Sequence, residues 1–541
     1  MSNNISRSIA YISLTVLVGS LAACGANPGS QQATKNVASA PASAPQDLAN
    51  DSMKEQSSGK KVVTEESEAP PATSGETYKG VADNQFYAAK ADPLSTFSID
   101  VDTASYSNLR RFVNSGKLPP KDAVRIEEMV NYFPYNYPQP SGDKPFSINT
   151  EVADAPWNPQ HKLVQIGLQG KKIGMEQLPP NNLVFLLDVS GSMNEPNKLP
   201  LLKASLKLLI NELRPQDKVA MVVYAGNAGL VLPSTSAKDK SKIIAALDKL
   251  EAGGSTAGGE GIIQAYKVAR DNLIKDGNNR VVLATDGDFN VGTSSDDELV
   301  KLIEKERGSG VFLSVLGLGM GNLKDSKMEQ LADKGNGNYA YIDSLAEAKK
   351  VLVKEFGGTL TTIAKDVKIQ VEFNPNLVQG YRLIGYENRV LANSDFKNDK
   401  KDAGELGAGH AVTALYEVIP VGVKTDFKFA QTNTTDVDKP TKLSADMIGQ
   451  VNLRYKAPQA NESQLLSSPI GQQTKAGASE NLKFAAAVAA YGMNLRNSPF
   501  KGNSNYSSIL ELANQAKGAD LDGYRAEFIR LVESSKKIAK S

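Results

Sequence analysis

Between Leu183 and Phe356 the chain alternates short apolar runs with amphipathic stretches. Leu183-Val184-Phe185-Leu186-Leu187 is continuously apolar, the pattern of a strand covered on both faces. Val219–Tyr224, Gly229–Leu232, Arg280–Thr285, Val311–Leu318 and Asn338–Ile342 read as further strands. Between them, Leu199–Leu213, Lys238–Leu250, Gly259–Asn272, Ser295–Glu306, Lys327–Lys334 and Ala346–Phe356 place apolar residues at helical spacing. The alternation predicts an α/β fold with a doubly wound, mostly parallel sheet and helices on both faces. Ligands of such sheets gather at the carboxyl ends of the strands.

The flanks read differently. Phe97 to Asp102 alternates like a short strand, and Thr103-Ala104-Ser105-Tyr106 opens a helix with Leu109, Phe112 and Val113 on one face. Asp100 and Asp102 miss the DxDx[TV] phosphatase motif, because Ala104 stands where Thr or Val is required; helix capping and turn formation account for them. The aromatic stretch Ile126–Tyr137 is expected to pack against a neighbouring domain. Beyond Gly357, Lys365–Phe373, Gly380–Tyr386, Ala411–Val418 and Gln450–Tyr455 read as strands, and Glu480–Leu495, Tyr506–Lys517 and Gly523–Ala539 as helices. Asp520-Leu521-Asp522-Gly523 is too short for an EF-hand loop and reads as a helix cap. The division is an α+β N-terminal region at 86–180, the α/β domain at 181–357, and a β-rich then helical region at 358–541.

At the N-terminus, Arg7 precedes the apolar run Ile9–Ala23, which is shorter than a membrane span and has the pattern of a signal peptide over residues 1–23. It ends in Leu21-Ala22-Ala23-Cys24-Gly25, which resembles a bacterial lipobox, and Cys24 is the only cysteine of the chain. The resemblance implies cleavage before Cys24, acylation of its thiol, and an anchor in the cell envelope. Gly25 in place of Asp after the lipidated residue points to the outer membrane of a Gram-negative bacterium. From Ala26 the sequence is rich in Ser, Ala, Pro, Gln and Glu, so residues 24–85 read as the lipidated Cys and a flexible tether.

Composition removes several function classes. Lys+Arg 61 against Asp+Glu 60 leaves no basic excess for nucleic acid. Two histidines and one cysteine exclude a Cys/His zinc site, and with them a cysteine nucleophile. No Walker A loop is present, and Gly317-Leu318-Gly319-Met320-Gly321 has Asn322 where GxGxxG needs its third glycine.

Three loops at the carboxyl edge of the sheet do carry chemistry. They offer Asp188, Ser190 and Ser192 in Asp188-Val189-Ser190-Gly191-Ser192, then Thr256 after Gly253-Gly254-Ser255, then Asp286 after Ala284-Thr285. This arrangement resembles the von Willebrand factor type A domain, whose metal-ion-dependent adhesion site is a DxSxS motif, a downstream Thr and a downstream Asp. Two carboxylates and three hydroxyls are hard donors suited to Mg2+, with Mn2+ or Ca2+ as competitors. The resemblance implies that Ser190, Ser192 and Thr256 contact the metal while Asp188 and Asp286 act largely through water. It also implies an open coordination position for the Glu or Asp of a protein partner. FSIDVDTASYSNLRRFVN, IEEMVNYFPY and GYRAEFIRLV are further similar to a bacterial group of lipoproteins with this domain, in which a dedicated N-terminal region precedes it and a C-terminal region of unknown function follows. The expectation is a lipid-anchored envelope protein, not an enzyme, that binds its partner through a metal. The alternatives are a metal-dependent hydrolase and a scaffold with a purely structural metal.

Overall fold

Both flanks of the chain contribute strands to the same sheets, so the central α/β domain is an insertion into a frame that closes around it. The computed structural model describes residues 75–225, 227–254, 258–287, 289, 296–355, 361–401, 403–430, 443–472 and 477–540, all of them in the unit Ala69–Ser541. Residues 1–74, with Cys24 and the segments expected to be signal peptide and tether, and Thr256, Asp288 and Asn290 lie outside these residues.

Ahead of the insertion run β1 (Tyr87–Ala88), β2 (Leu94–Ser98), α1 (Ala104–Asn114), α2 (Ile126–Asn131), β3 (Phe146–Ala155) and β4 (Asn158–Gly170). The insertion holds β5 (Asn181–Asp188), α3 (Leu199–Glu212), β6 (Lys218–Ala225), β7 (Asn227–Ser236), α4 (Lys240–Asp248), α5 (Gly258–Asp271), β8 (Asn278–Thr285), α6 (Asp296–Gly308), β9 (Val311–Leu318), α7 (Asp325–Lys334), β10 (Tyr339–Ile342) and α8 (Leu345–Lys349). After it come β11 (Thr362–Phe373), β12 (Val378–Ile384), β13 (Val390–Leu391), β14 (Gly404–Gly407), β15 (Ala411–Pro420), β16 (Met447–Lys456), β17 (Gln464–Gly471), α9 (Glu480–Leu495), α10 (Tyr506–Gln515) and α11 (Tyr524–Ile538). No described helix is long and apolar enough to cross a membrane.

The inserted sheet has the order β10-β9-β8-β5-β6-β7, parallel except for β7, which runs antiparallel to β6. This is the doubly wound, mostly parallel α/β sheet that the apolar runs predict. Alternation along β5 explains why its run is unbroken: Leu183, Phe185 and Leu187 enter one core with α3 and α4, while Val184 and Leu186 enter the other with α5, α6 and α7. Gly261 lets α5 close on the sheet, since a Cβ there would sit 2.9 Å from the Cβ of Tyr224.

The frame is a sandwich. One sheet is β1-β12-β15-β4-β3 and the other β13-β2-β11-β16-β17, with β14 beside β11. Phe97, Ile369, Val371 and Val451 of the second meet Val164, Ile166, Leu383 and Tyr416 of the first in one apolar core. The outer face of the first sheet packs under α2, α9 and α11 through Leu163, Leu415, Met129, Tyr132, Phe133, Phe484 and Phe528. The aromatic stretch at Ile126–Tyr137 is therefore core, packed on the C-terminal helices.

Three local readings change. The pattern leaves β3, β4 and β17 unmarked: β4 buries the polar residues His161, Gln165 and Gln169, while β3 and β17 are mostly half-buried or exposed and carry no apolar alternation. Ordered contacts begin before Phe86: the Thr77 amide donates to the Leu323 carbonyl and the Gly321 amide to Glu76. Asp102 is not a helix cap. The Ser105 amide at the start of α1 donates to Glu128 of α2 at 2.8 Å, which leaves Asp102 to accept the Tyr339 amide of β10 at 2.7 Å. Asp520, by contrast, does accept the Arg525 and Ala526 amides at the start of α11.

Buried charge holds the insertion in the frame. Arg110 of α1 binds Asp343, Glu347 and Glu527, spanning N-terminal flank, insertion and C-terminal flank. Beside it, Arg125 meets Glu128, Asp325 and Glu329, and Arg389 meets Asp100, Asp102, Glu329 and Asp333. Six carboxyls thus share two guanidiniums. Burial, helped by the neighbouring carboxylates, pushes Glu128 up to about 8 and Asp333 up to about 7, and holds Asp102 well above the carboxylate range. In the unfolded chain the same carboxyls titrate near 4. The stabilisation from Glu128 and Asp333 is complete below about pH 4, declines while the folded state keeps protons the unfolded chain has released, and is gone above about pH 8. Thermal melts from about pH 5 to about pH 8.5 are expected to show a falling melting temperature, with a shallower slope in Glu128→Gln. Parallel slopes in the two proteins would refute the assignment.

Candidate metal centre

β5 and β8 are adjacent parallel strands, and their carboxyl ends deliver Asp188 and Asp286 to one edge. Both residues are buried, Asp188 at 0% and Asp286 at 1% exposure. Asp188 Oδ1 accepts the Ser190 amide at 2.9 Å, which turns the loop back over the strand end. Its Oδ2 accepts the Tyr224 hydroxyl at 3.2 Å and the Thr285 hydroxyl at 3.3 Å. Burial pushes the Asp188 carboxyl above its usual range, opposed by the Ser190 donors. Four donors of the predicted set therefore reach one place: Asp188, Asp286, and the hydroxyls of Ser190 and Ser192, which lie 3.1 Å apart. Ser190 is buried and Ser192 exposed, so the donors run from the interior to the surface.

The second loop is tied to the first through the backbone. The Gly253 amide donates to the Val189 carbonyl at 2.7 Å and the Gly191 amide to the Gly254 carbonyl at 3.2 Å. Thr256 follows this tie but lies outside the described residues. The third loop turns at Gly287, whose φ of +112° and closeness to the Asn322 carbonyl, 2.3 Å from any added Cβ, both demand glycine.

Tyr224, Thr285 and Lys198 also reach the site, and no motif marks them. Tyr224 is the β6 residue paired with Asp188 and Thr285 ends β8, so strand register carries them to the site. Lys198 has no comparable signal. It sits at 3% exposure, and its ammonium donates to Asp286 Oδ2 at 3.0 Å and to the Ser192 carbonyl at 2.9 Å. Beside it opens a cleft of about 490 Å³ lined by Asn197, Gly319, Met320, Arg111 and Tyr341.

The donor chemistry fits a hard divalent cation: Asp188, Ser190, Ser192 and Asp286 offer oxygen only. Neither histidine joins the described donors. His161 is bonded to Glu417 at 2.6 Å inside the frame, and His410 follows β14.

Three family descriptions match in succession: "von Willebrand factor" at residues 72–165, "von Willebrand factor type A domain" at 182–354, and "Uncharacterized protein YfbK, C-terminal" at 358–538. YfbK of Escherichia coli strain K12 is 48% identical over 466 residues, covering 84% of this chain and 80% of that protein. The protein sll0103 of Synechocystis is 23% identical over 331 residues, 60% of this chain and 73% of its own. Among solved structures, a von Willebrand factor type A protein from Catenulispora acidiphila aligns over 71% of this chain and 90% of its own, with 17% identity and a TM-score of 0.39.

The buried Lys198–Asp286 pair has a consequence for stability. Asp286→Ala is expected to destabilise the protein in EDTA by about 3 to 5 kcal/mol, since a buried ammonium loses its counter-charge. Denaturant unfolding measures this, and an unchanged midpoint would contradict the pairing.

Proposed function

The chain belongs to the family of Escherichia coli YfbK, built around a von Willebrand factor type A domain, and from that premise we propose that it is a lipid-anchored envelope protein binding a protein partner through a divalent metal. The observation that carries this reading is the meeting of Asp188, Ser190, Ser192 and Asp286 at the carboxyl edge of the sheet, with Ser192 at the surface. Asp188, Ser190, Ser192, Asp286 and Thr256 would hold the cation, with Mg2+ the first candidate and Mn2+ or Ca2+ its competitors. Bound there, the cation supplies an electrophilic position that a partner's Glu or Asp fills. Tyr224 and Thr285 orient the Asp188 carboxylate, and the two serines, which carry no charge, leave the cation electrophilic. The backbone ties between the first two loops and the Lys198–Asp286 pair already fix the edge, which favours an adhesive over a purely structural role for the metal.

The anchor is the thiol of Cys24, and we place the protein at the outer membrane of a Gram-negative cell. Cys24→Ser is expected to abolish incorporation of radiolabelled palmitate and to release the protein from the membrane fraction. Labelling that survives the substitution would rule out this anchor.

Partner binding is tested by immobilising the full chain and comparing proteins captured from envelope extract in Mg2+, in EDTA, and by Ser190→Ala/Ser192→Ala in Mg2+. These substitutions remove metal donors without unpairing Lys198, unlike any change at Asp286. A protein retained by the wild type in Mg2+ alone is the expected result. Identical capture in all three samples would remove the metal from the interaction.

A further inference from the structure

Lys198 introduces a positive charge where the family pattern has only oxygen donors. Its ammonium is bonded to Asp286 Oδ2 at 3.0 Å and to the Ser192 carbonyl at 2.9 Å, with only 3% of the residue exposed. The fold makes room for it. Gly319, at φ +74°, lies against the lysine stem, and a Cβ there would come within 2.4 Å of Lys198 Cε. The Gly319 carbonyl accepts the Tyr341 hydroxyl, which pins this segment over the stem. The lysine is therefore seated by the fold rather than resting in a surface groove.

Resting on the reading of this edge as a divalent metal centre, we propose that Lys198 is a built-in counter-cation that makes the metal and the partner's carboxylate bind as a pair. Asp188 and Asp286 together balance a divalent cation. Counting these described groups alone, Lys198 leaves the loaded centre with one positive charge more than Asp188 and Asp286 balance, among side chains that are themselves buried, which is costly. One carboxylate from the partner cancels it. The metal alone is thus held weakly, the carboxylate strengthens it, and by linkage the metal strengthens the carboxylate to the same degree. A neutral ligand at the open position leaves the charge standing, so the centre selects acidic partners.

The test measures Mn2+ affinity of the purified full chain by the electron paramagnetic resonance of free Mn2+. Acetate serves as the carboxylate probe, and chloride of equal ionic strength as the control. Without acetate, Lys198→Met is expected to bind Mn2+ about tenfold or more tightly than wild type, because a cation beside the metal has been removed. Lys198→Arg is expected to stay near wild type. Acetate is expected to tighten Mn2+ binding in the wild type and to do so less in Lys198→Met. A folded Lys198→Met that binds Mn2+ no tighter overturns the inference. If that variant does not fold, the wild-type arm decides: absence of any acetate effect on Mn2+ affinity overturns it equally. Failure of the underlying reading looks different, because wild type and Ser190→Ala/Ser192→Ala would then bind Mn2+ equally or not at all.

Discussion

Antiparallel pairing of β4 with β15, Lys162 to Gln169 against Val418 to Ala411, joins the part of the chain before the inserted domain to the part after it. The second sheet repeats the closure, with β11 lying between β2 and β16. These pairings bring residues some 250 positions apart into one sheet, as in Leu163 opposite Glu417. They also fix both ends of the insertion. Because the domain is held at its entry and its exit by one sandwich, its carboxyl edge has a set position relative to the flanks. Loop closure over such a length costs only slowly rising entropy, whereas the buried ladder and the core beneath it recover far more.

The interface that this closure creates is charged rather than apolar. Arg110, Arg125 and Arg389 gather carboxylates from all three parts of the chain, and burial, which penalises the ionised form, pushes Glu128 among them up to about 8. The metal edge follows the same physics on a smaller scale. There Lys198 balances Asp286, while hydroxyl donors hold Asp188. In both places a charge is buried where a partner for it has been built, and removing one member of a pair costs more than the pair contributes.

Much of this was legible in the chain. The run Leu183–Leu187 and the alternation after it identify a two-faced parallel sheet, since period-2 and period-3.6 patterns are local consequences of backbone geometry. The spacing of Asp188, Ser190 and Ser192 places three donors in one loop, and strand order then predicts that Asp286 joins them, as it does. Helices at Glu480–Leu495 and near Gly523 were equally plain, because their apolar faces are continuous.

What the sequence determined by itself is therefore local: the elements of the insertion and the oxygen donors at its edge. Tertiary structure decided the rest. That β4 carries buried His161, Gln165 and Gln169, that Asp102 reaches Tyr339 rather than capping α1, and that Lys198 folds back onto Asp286 are all meetings of residues distant in the chain or off any periodic face. A buried polar side chain is stable only if a partner stands opposite it, and which residue stands opposite is settled by strand register and packing, not by its neighbours in sequence.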